Sequence, residues 1–162
     1  MLKRLLLAID QYESGQTALH FTSALAAGTG AEVRVLHVRE LSAHARVPPL
    51  ETPAEAQCLV REAAFTLRLA GASADGLACS ERSDHVAKRI VQEASDSDAD
   101  AIVLGSRRLR GIDRLSRRGV REHVTRLSPL PVITAPAPML DGIPTSGWFR
   151  INRTRDLTRN GD

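Results

Sequence analysis

The sequence predicts a three-layer α/β domain: a doubly wound parallel sheet with helices on both faces. Three observations predict it. Strand-like and helix-like patterns alternate from the first residues to Pro138, the signature of strands joined by crossover helices. Two runs, Leu5–Ile9 and Ala101–Leu104, are apolar without interruption, as in central strands covered on both sides. Glycine or proline punctuates the helix ends and the loops. A chain of 162 residues, 43% of them hydrophobic, fits one domain around one core.

The elements follow in order. Leu5-Leu6-Leu7-Ala8-Ile9 is the first strand and ends at Asp10. Ser14 is placed to cap a first helix, where Ala18, Phe21 and Leu25 repeat at helical spacing. Gly28-Thr29-Gly30 stops it, because glycine tolerates the left-handed conformation beyond a helix end. Glu32–Val38 is the second strand, and a loop with Pro48 and Pro49 follows. Thr52-Pro53-Ala54-Glu55 is a capping box with proline at the first helical position. Leu59, Ala63, Leu67 and Ala70 form the expected core stripe of the second helix, which Gly71 ends. Gly76–Ser80 is a short third strand. Ser83 is the expected cap of a third helix that faces Val86, Ile90 and Ala94 inward. Asp100–Ser106 holds the fourth strand and its exit, and an arginine-rich loop leads to a fourth helix over Gly119–Leu127. Pro131–Pro136 is a fifth strand whose prolines suit a sheet edge. The domain therefore spans residues 1–138. Residues 139–162, with an isolated Trp148-Phe149 pair, read as an irregular tail.

Composition removes several function classes. No apolar run is long enough to span a bilayer, and no apolar leader precedes a small-residue cleavage site, so a cytoplasmic location is expected. Cys58 and Cys79 form no C-x-x-C pair, which excludes a disulfide framework or thiolate zinc site; both are expected to be small buried hydrophobes. His20, His37, His44, His85 and His123 make no metal-ligand spacing, and His37 reads as a satisfied core or rim group. Ser83-Asp84-His85 carries the letters of a hydrolase triad, but adjacent residues cannot adopt its geometry. There is no Walker A lysine, no G-x-S-x-G elbow, and Gly28-Thr29-Gly30 ends a helix where a dinucleotide fingerprint would open one.

The net charge of +3 is unevenly spread. Between Ser106 and Arg126 eight arginines face only Asp113 and Glu122, a local sum of +6, so the basic character belongs to one loop and the helix after it. With 3% aromatic residues overall and none in that stretch, stacking on single-stranded nucleic acid is disfavoured. Non-specific nucleic-acid binding stays open as an alternative function. In open α/β sheets ligands sit beyond the carboxyl ends of the strands, where the winding reverses. The exits of the first and fourth strands carry Asp10 and Gly105-Ser106. The loop returns to the N-terminus of the fourth helix, which favours an anion. Asp10 reads either as a ligand-facing carboxylate or as a residue that ends a strand and caps a turn.

These exits resemble the universal stress protein family. Leu6-Leu7-Ala8-Ile9-Asp10, Leu36-His37-Val38, Asp100-Ala101-Ile102-Val103-Leu104-Gly105-Ser106-Arg107 and Pro131-Val132-Ile133 are similar, in this order, to the family's first, second, fourth and fifth strands. The resemblance covers about Leu2 to Ala137. It implies a Rossmann-like, adenine nucleotide alpha hydrolase-like sheet of five strands in the order 3-2-1-4-5 with four helices, dimerising through the last strand. It also implies a stress-response binding or signalling role. Many members bind ATP through a glycine, two residues, a second glycine, nine residues, then glycine followed by serine or threonine. Here Gly105 matches the first glycine, Arg108 and Arg118 replace the other two, and Gly119 stands where the hydroxyl residue would be. Glycine lets backbone amides approach phosphates without a Cβ, so the pattern is degenerate. Arginine also grips phosphate well through paired donors. Arg108 and Arg118 either fill the triphosphate space themselves or hold a different anion. By carry-over Asp10, Val38, Gly105, Arg107 and Gly119 line the site, with Arg108 and Arg118 as unusual contributors. ATP is a possible ligand, and no catalytic or metal-binding residue is assigned. A slow ATP hydrolase is a second alternative, although no residue reads as a general base.

Overall fold

The computed structural model describes residues 1–41, 51–106 and 119–136. The elements are β1 (Arg4–Ile9), α1 (Glu13–Thr29), β2 (Glu32–Leu41), α2 (Pro53–Leu69), β3 (Ala74–Arg82), α3 (Val86–Asp96), β4 (Ala101–Leu104), α4 (Val120–Leu127) and β5 (Val132–Thr134). The strands form one parallel sheet, as the sequence pattern predicts, in the order β3-β2-β1-β4-β5 that the family resemblance implies. Leu5 pairs with Val33 on one side and Ala101 on the other, and Ala8 with Leu36 and Leu104. The two uniformly apolar strands are therefore central neighbours.

Alternation along β1 divides the interior into two layers. Leu5, Leu7 and Ile9 pack with Val33, Val35 and Val103 against α1 and α2, including Ala18, Val60, Ala63 and Leu67. Leu6 turns to the opposite face, where Leu36, Ile102 and Leu104 meet Val86, Ile90 and Ala94 of α3 and Val124 of α4. Leu5, Leu6 and Leu7 are fully buried, and each such side chain contributes on the order of 1.5–3 kcal/mol relative to exposure.

The helix ends show where local chemistry departs from expectation. The capping box at α2 is present: the Glu55 amide donates to Thr52 Oγ1 at 3.2 Å and the Thr52 amide to Glu55 Oε2 at 2.8 Å. Ser14 does not cap α1. It lies inside the first turn, and its hydroxyl is drawn back to Asp10. Gly28 lies within the helix, and Gly30 alone takes the left-handed position, φ 71°, with its amide donating to the Ala26 carbonyl. Ser83 does not cap α3 either; its hydroxyl bonds to the Leu41 carbonyl at the end of β2, and His85 precedes the helix without a side-chain cap.

Three further expectations change. β3 is longer than Gly76–Ser80, pairing with β2 from Ala74 to Arg82, because an edge strand tolerates polar ends that dilute its pattern. On α2 the buried stripe is Ala56, Val60, Ala63, Ala64 and Leu67, while Ala70 is exposed just past the last turn. Cys58 is exposed on the outer face of α2, its Sγ 3.4 Å from Glu62 Oε1; only Cys79 packs, half-buried, against a core layer. Among the described residues no helix is long and apolar enough to cross a membrane.

Candidate functional site

β1 and β4 end side by side, and their exits converge on the start of α1. The Asp10 carboxylate accepts four hydrogen bonds' worth of contacts from that turn. Oδ1 takes the amides of Tyr12 and Gly15, each at 3.0 Å, and Ser14 Oγ bridges both oxygens at 3.0 and 2.8 Å. The carboxylate thus accepts from the Tyr12 amide and shares the Gly15 amide with the Tyr12 carbonyl, 2.9 Å away, at the start of the helix. The strand-ending, turn-capping reading of Asp10 is what the hydrogen bonds show.

Gly105 meets the other side of the same turn. A Cβ there would overlap the carbonyl oxygen of Ser14, and the Ser14 side chain is itself buried. Glycine is needed because two backbones touch, independent of any ligand. Gly15 is needed in the same way, against the Asp10 carbonyl. Val38, one residue past the β1–β2 pairing of Ile9 with His37, packs half-buried against the layer formed by α3 and α4. Gly119 precedes α4, accepts the Glu122 amide at 2.9 Å, and has open space where a Cβ would stand. Among the described residues, no packing contact demands glycine there. Arg107, Arg108 and Arg118 lie outside the described residues, as does the tail from 139. The structure brings Asp10 and Gly105 together around Ser14, which the sequence marked only as a cap.

His37 and Glu51 form a buried pair that the sequence pattern does not display. His37 Nδ1 lies 2.9 Å from the Ile9 carbonyl oxygen and Nε2 2.7 Å from Glu51 Oε2, with both side chains buried. His37 is a rim group with an oxygen partner at each ring nitrogen. Glu51 had no sequence signal beyond standing one residue before the α2 cap.

Among the described residues, one groove lies at the exit of β3 and another at the amino ends of the strands. The first, about 270 Å³, lies along Glu81, His85, Lys88 and Arg89. The second, about 680 Å³, lies beside Arg4, Arg34, Asp75 and Glu93. Neither includes Asp10, Val38, Gly105 or Gly119. The connection from β4 to α4 lies outside the described residues. In the larger groove buried Glu93 is held by Arg34 at 3.1 Å and Arg89 at 2.8 Å, and Arg34 also pairs with Asp75. Partial burial lowers the proton affinity of Arg34, but the bond to Glu93 and the charge of Asp75 outweigh it and hold the guanidinium above its usual value. This is a structural ion network. Among the described residues no group of three His, Cys, Asp or Glu side chains is arranged to hold a metal ion.

Comparison with known proteins agrees with this architecture. The family model described as Universal stress protein family matches residues 1–136. A universal stress protein from Archaeoglobus fulgidus, solved in complex with dAMP, is 25% identical, with a TM-score of 0.60 over 84% of this chain and 100% of that one. A universal stress protein solved in complex with cAMP is 19% identical, with a TM-score of 0.66 over 85% and 98% of the two chains. A member from Burkholderia pseudomallei is 22% identical, with a TM-score of 0.65 over 84% and 97%. A comparison with the curated proteins finds no match.

Proposed function

This chain belongs to the universal stress protein family, and from that premise we propose that it is a binding and signalling module whose ligand is a nucleotide or another small anion. The ligand sits at the carboxyl edge of the sheet, between the exits of β1 and β4. One observation carries the reading: Asp10 and Gly105 flank the same residue, Ser14, one through its carboxylate and the other backbone to backbone. That places an acidic group beside a glycine turn at the point where the sheet's winding reverses.

Chemistry at the edge supports it. Asp10 Oδ2 accepts from Ser14 Oγ, and a carboxylate oxygen has a further lone pair for a ligand hydroxyl or amino group. Gly119 opens α4 without a side-chain cap, leaving helix amides for an anion. Arg107, Arg108 and Arg118 belong to the same connection in sequence, and their paired donors match phosphate. Val38 contributes an apolar rim. Relatives solved with dAMP and with cAMP set the ligand class to be tried first. The working unit is a cytoplasmic homodimer joined through β5, built on a domain of residues 1–138, with 139–162 as an appended tail. Binding is favoured over hydrolysis because Asp10, the acid between the β1 and β4 exits, is engaged by the α1 turn.

Isothermal titration with ATP and magnesium, dAMP and cAMP at micromolar concentrations tests it. Saturable heat for at least one nucleotide, weakened tenfold or more by the double change Arg108→Ala and Arg118→Ala, is expected. No heat with any of them overturns the nucleotide reading.

A further inference from the structure

The ring of His37 stands between two acceptors. Nδ1 faces the Ile9 carbonyl oxygen at 2.9 Å and Nε2 faces Glu51 Oε2 at 2.7 Å. His37 is 5% exposed and Glu51 9%, so bulk water does not separate the atoms. A neutral imidazole has one N–H and one bare lone pair, whereas a carbonyl and an ionised carboxylate offer only lone pairs. Whichever tautomer forms, a neutral ring beside an ionised Glu51 sets two lone pairs against each other at hydrogen-bond distance. Such a buried mismatch is costly. One additional proton removes it. On the ring, it makes an imidazolium that donates both ways; on Glu51, it makes an acid that donates to the bare nitrogen.

We propose that the fold binds one proton at the His37–Glu51 pair and uses it as a pH-operated clasp at the rim of the sheet. The clasp joins three elements. Ile9 is the last residue of β1 and precedes Asp10, His37 precedes Val38 on β2, and Glu51 immediately precedes the Thr52 cap of α2. Among the described residues, the other titratable groups flanking the pair are already engaged. Arg39 on β2 donates to the Glu51 carbonyl and to Ser80, Asp10 serves the α1 turn, and Glu55 closes the capping box. On β3, the residue paired with His37 is Ala78, which carries no charge. Among the described residues, the proton therefore belongs to the pair.

The sign of the effect follows. An unfolded chain releases its histidine proton near pH ~6.5, while the folded pair retains one. Above that pH the folded state binds more protons than the unfolded one, so stability falls as pH rises until the pair lets go. Glu51→Gln keeps the shape, and the introduced carboxamide donates to Nε2 of a neutral ring, which removes the need for the proton.

Two measurements on the full chain test this. Long-range nitrogen–proton spectra at pH 7 are expected to show two protonated His37 nitrogens, or one together with a neutral Glu51 carboxyl in the carbon spectrum. A single protonated nitrogen beside an ionised Glu51 overturns the proposal. Denaturation between pH 6.5 and 8.5 is expected to show the wild-type folding constant falling by up to about tenfold per pH unit relative to Glu51→Gln. Parallel curves for the two proteins overturn it as well. Should Glu51→Gln fail to fold, the spectra of the wild-type protein decide alone.

Discussion

The carbonyl oxygen of Ser14 occupies the place where a side chain on residue 105 would begin. A loop glycine next to a supposed ligand site is thus explained first by two backbones in contact. Backbone cannot rotate aside as a long side chain can, so Gly105→Ala must separate β4's exit from α1. We expect a loss of about 1–3 kcal/mol, the usual range for overpacking, read as a lower denaturation midpoint with unchanged slope. Gly119→Ala is the control: among the described residues nothing lies within 4 Å of a Cβ there, so a loss of similar size at both positions would refute the role of the Ser14 contact.

Asp10 offers a way to separate capping from ligand binding. Its carboxylate holds the Tyr12 and Gly15 amides and the Ser14 hydroxyl. Asp10→Ala removes every acceptor and should lower stability by about 1–2 kcal/mol, as loss of a helix cap does. Asp10→Asn keeps one oxygen for the Gly15 amide and should lose less than half as much. If nucleotide affinity falls equally in both variants while stability separates them, Asp10 also meets the ligand. If affinity tracks stability, the residue only builds the turn.

The ion network at the opposite end of the sheet predicts a purely structural effect. Glu93 is almost wholly buried between Arg34 and Arg89, whose side chains are 31% and 25% exposed. Removing the shared acid takes the carboxylate partner from Arg89 and leaves Arg34 with Asp75. A fully buried pair broken this way loses about 3–5 kcal/mol; partial exposure of the arginines brings the expected loss for Glu93→Ala to roughly 2–3 kcal/mol. Urea denaturation measures it, and nucleotide titration of the same variant should show unchanged affinity at temperatures where it is folded.

Much of the fold was legible because it rests on repeated, redundant signals. The Leu5–Ile9 and Ala101–Leu104 runs announced central strands, and every position of each run supports the others. Thr52, Pro53 and Glu55 announced a helix start through local chemistry that no distant contact overrides. Single-residue inferences fared worse. Ser14 and Ser83 have the right chemistry for caps, yet Asp10 and the Leu41 carbonyl compete for their hydroxyls. Both partners are set by strand exits that local sequence does not display. Cys58 shows the same weakness, since a one-residue shift of the helical stripe moves a small apolar group from core to surface. At the site, Asp10 and Gly105 were legible from topology. The Ser14 contact and the His37–Glu51 pair were not, because each depends on how separate elements pack.

Acid should loosen the sheet's amino end before its core. Asp100 Oδ2 accepts the amides of Arg4 at 2.8 Å and Lys3 at 2.6 Å. The Arg4 amide first, then that of Lys3, favour the ionised form and hold this carboxyl below its ordinary value. With the folded value depressed, the group's contribution is fully present above the unfolded value of about 3.9. It is lost as pH falls from there through the folded value. Asp100→Asn keeps an oxygen acceptor but cannot be protonated in this range. The wild-type protein should therefore be the more stable near pH 5, with its advantage shrinking steadily toward pH 2.5. Carbon-detected titration of the Asp100 carboxyl, run beside denaturation of both proteins, checks the two halves of the claim. A stability difference that stays constant over that interval would show that the two amide bonds do not depend on the charge.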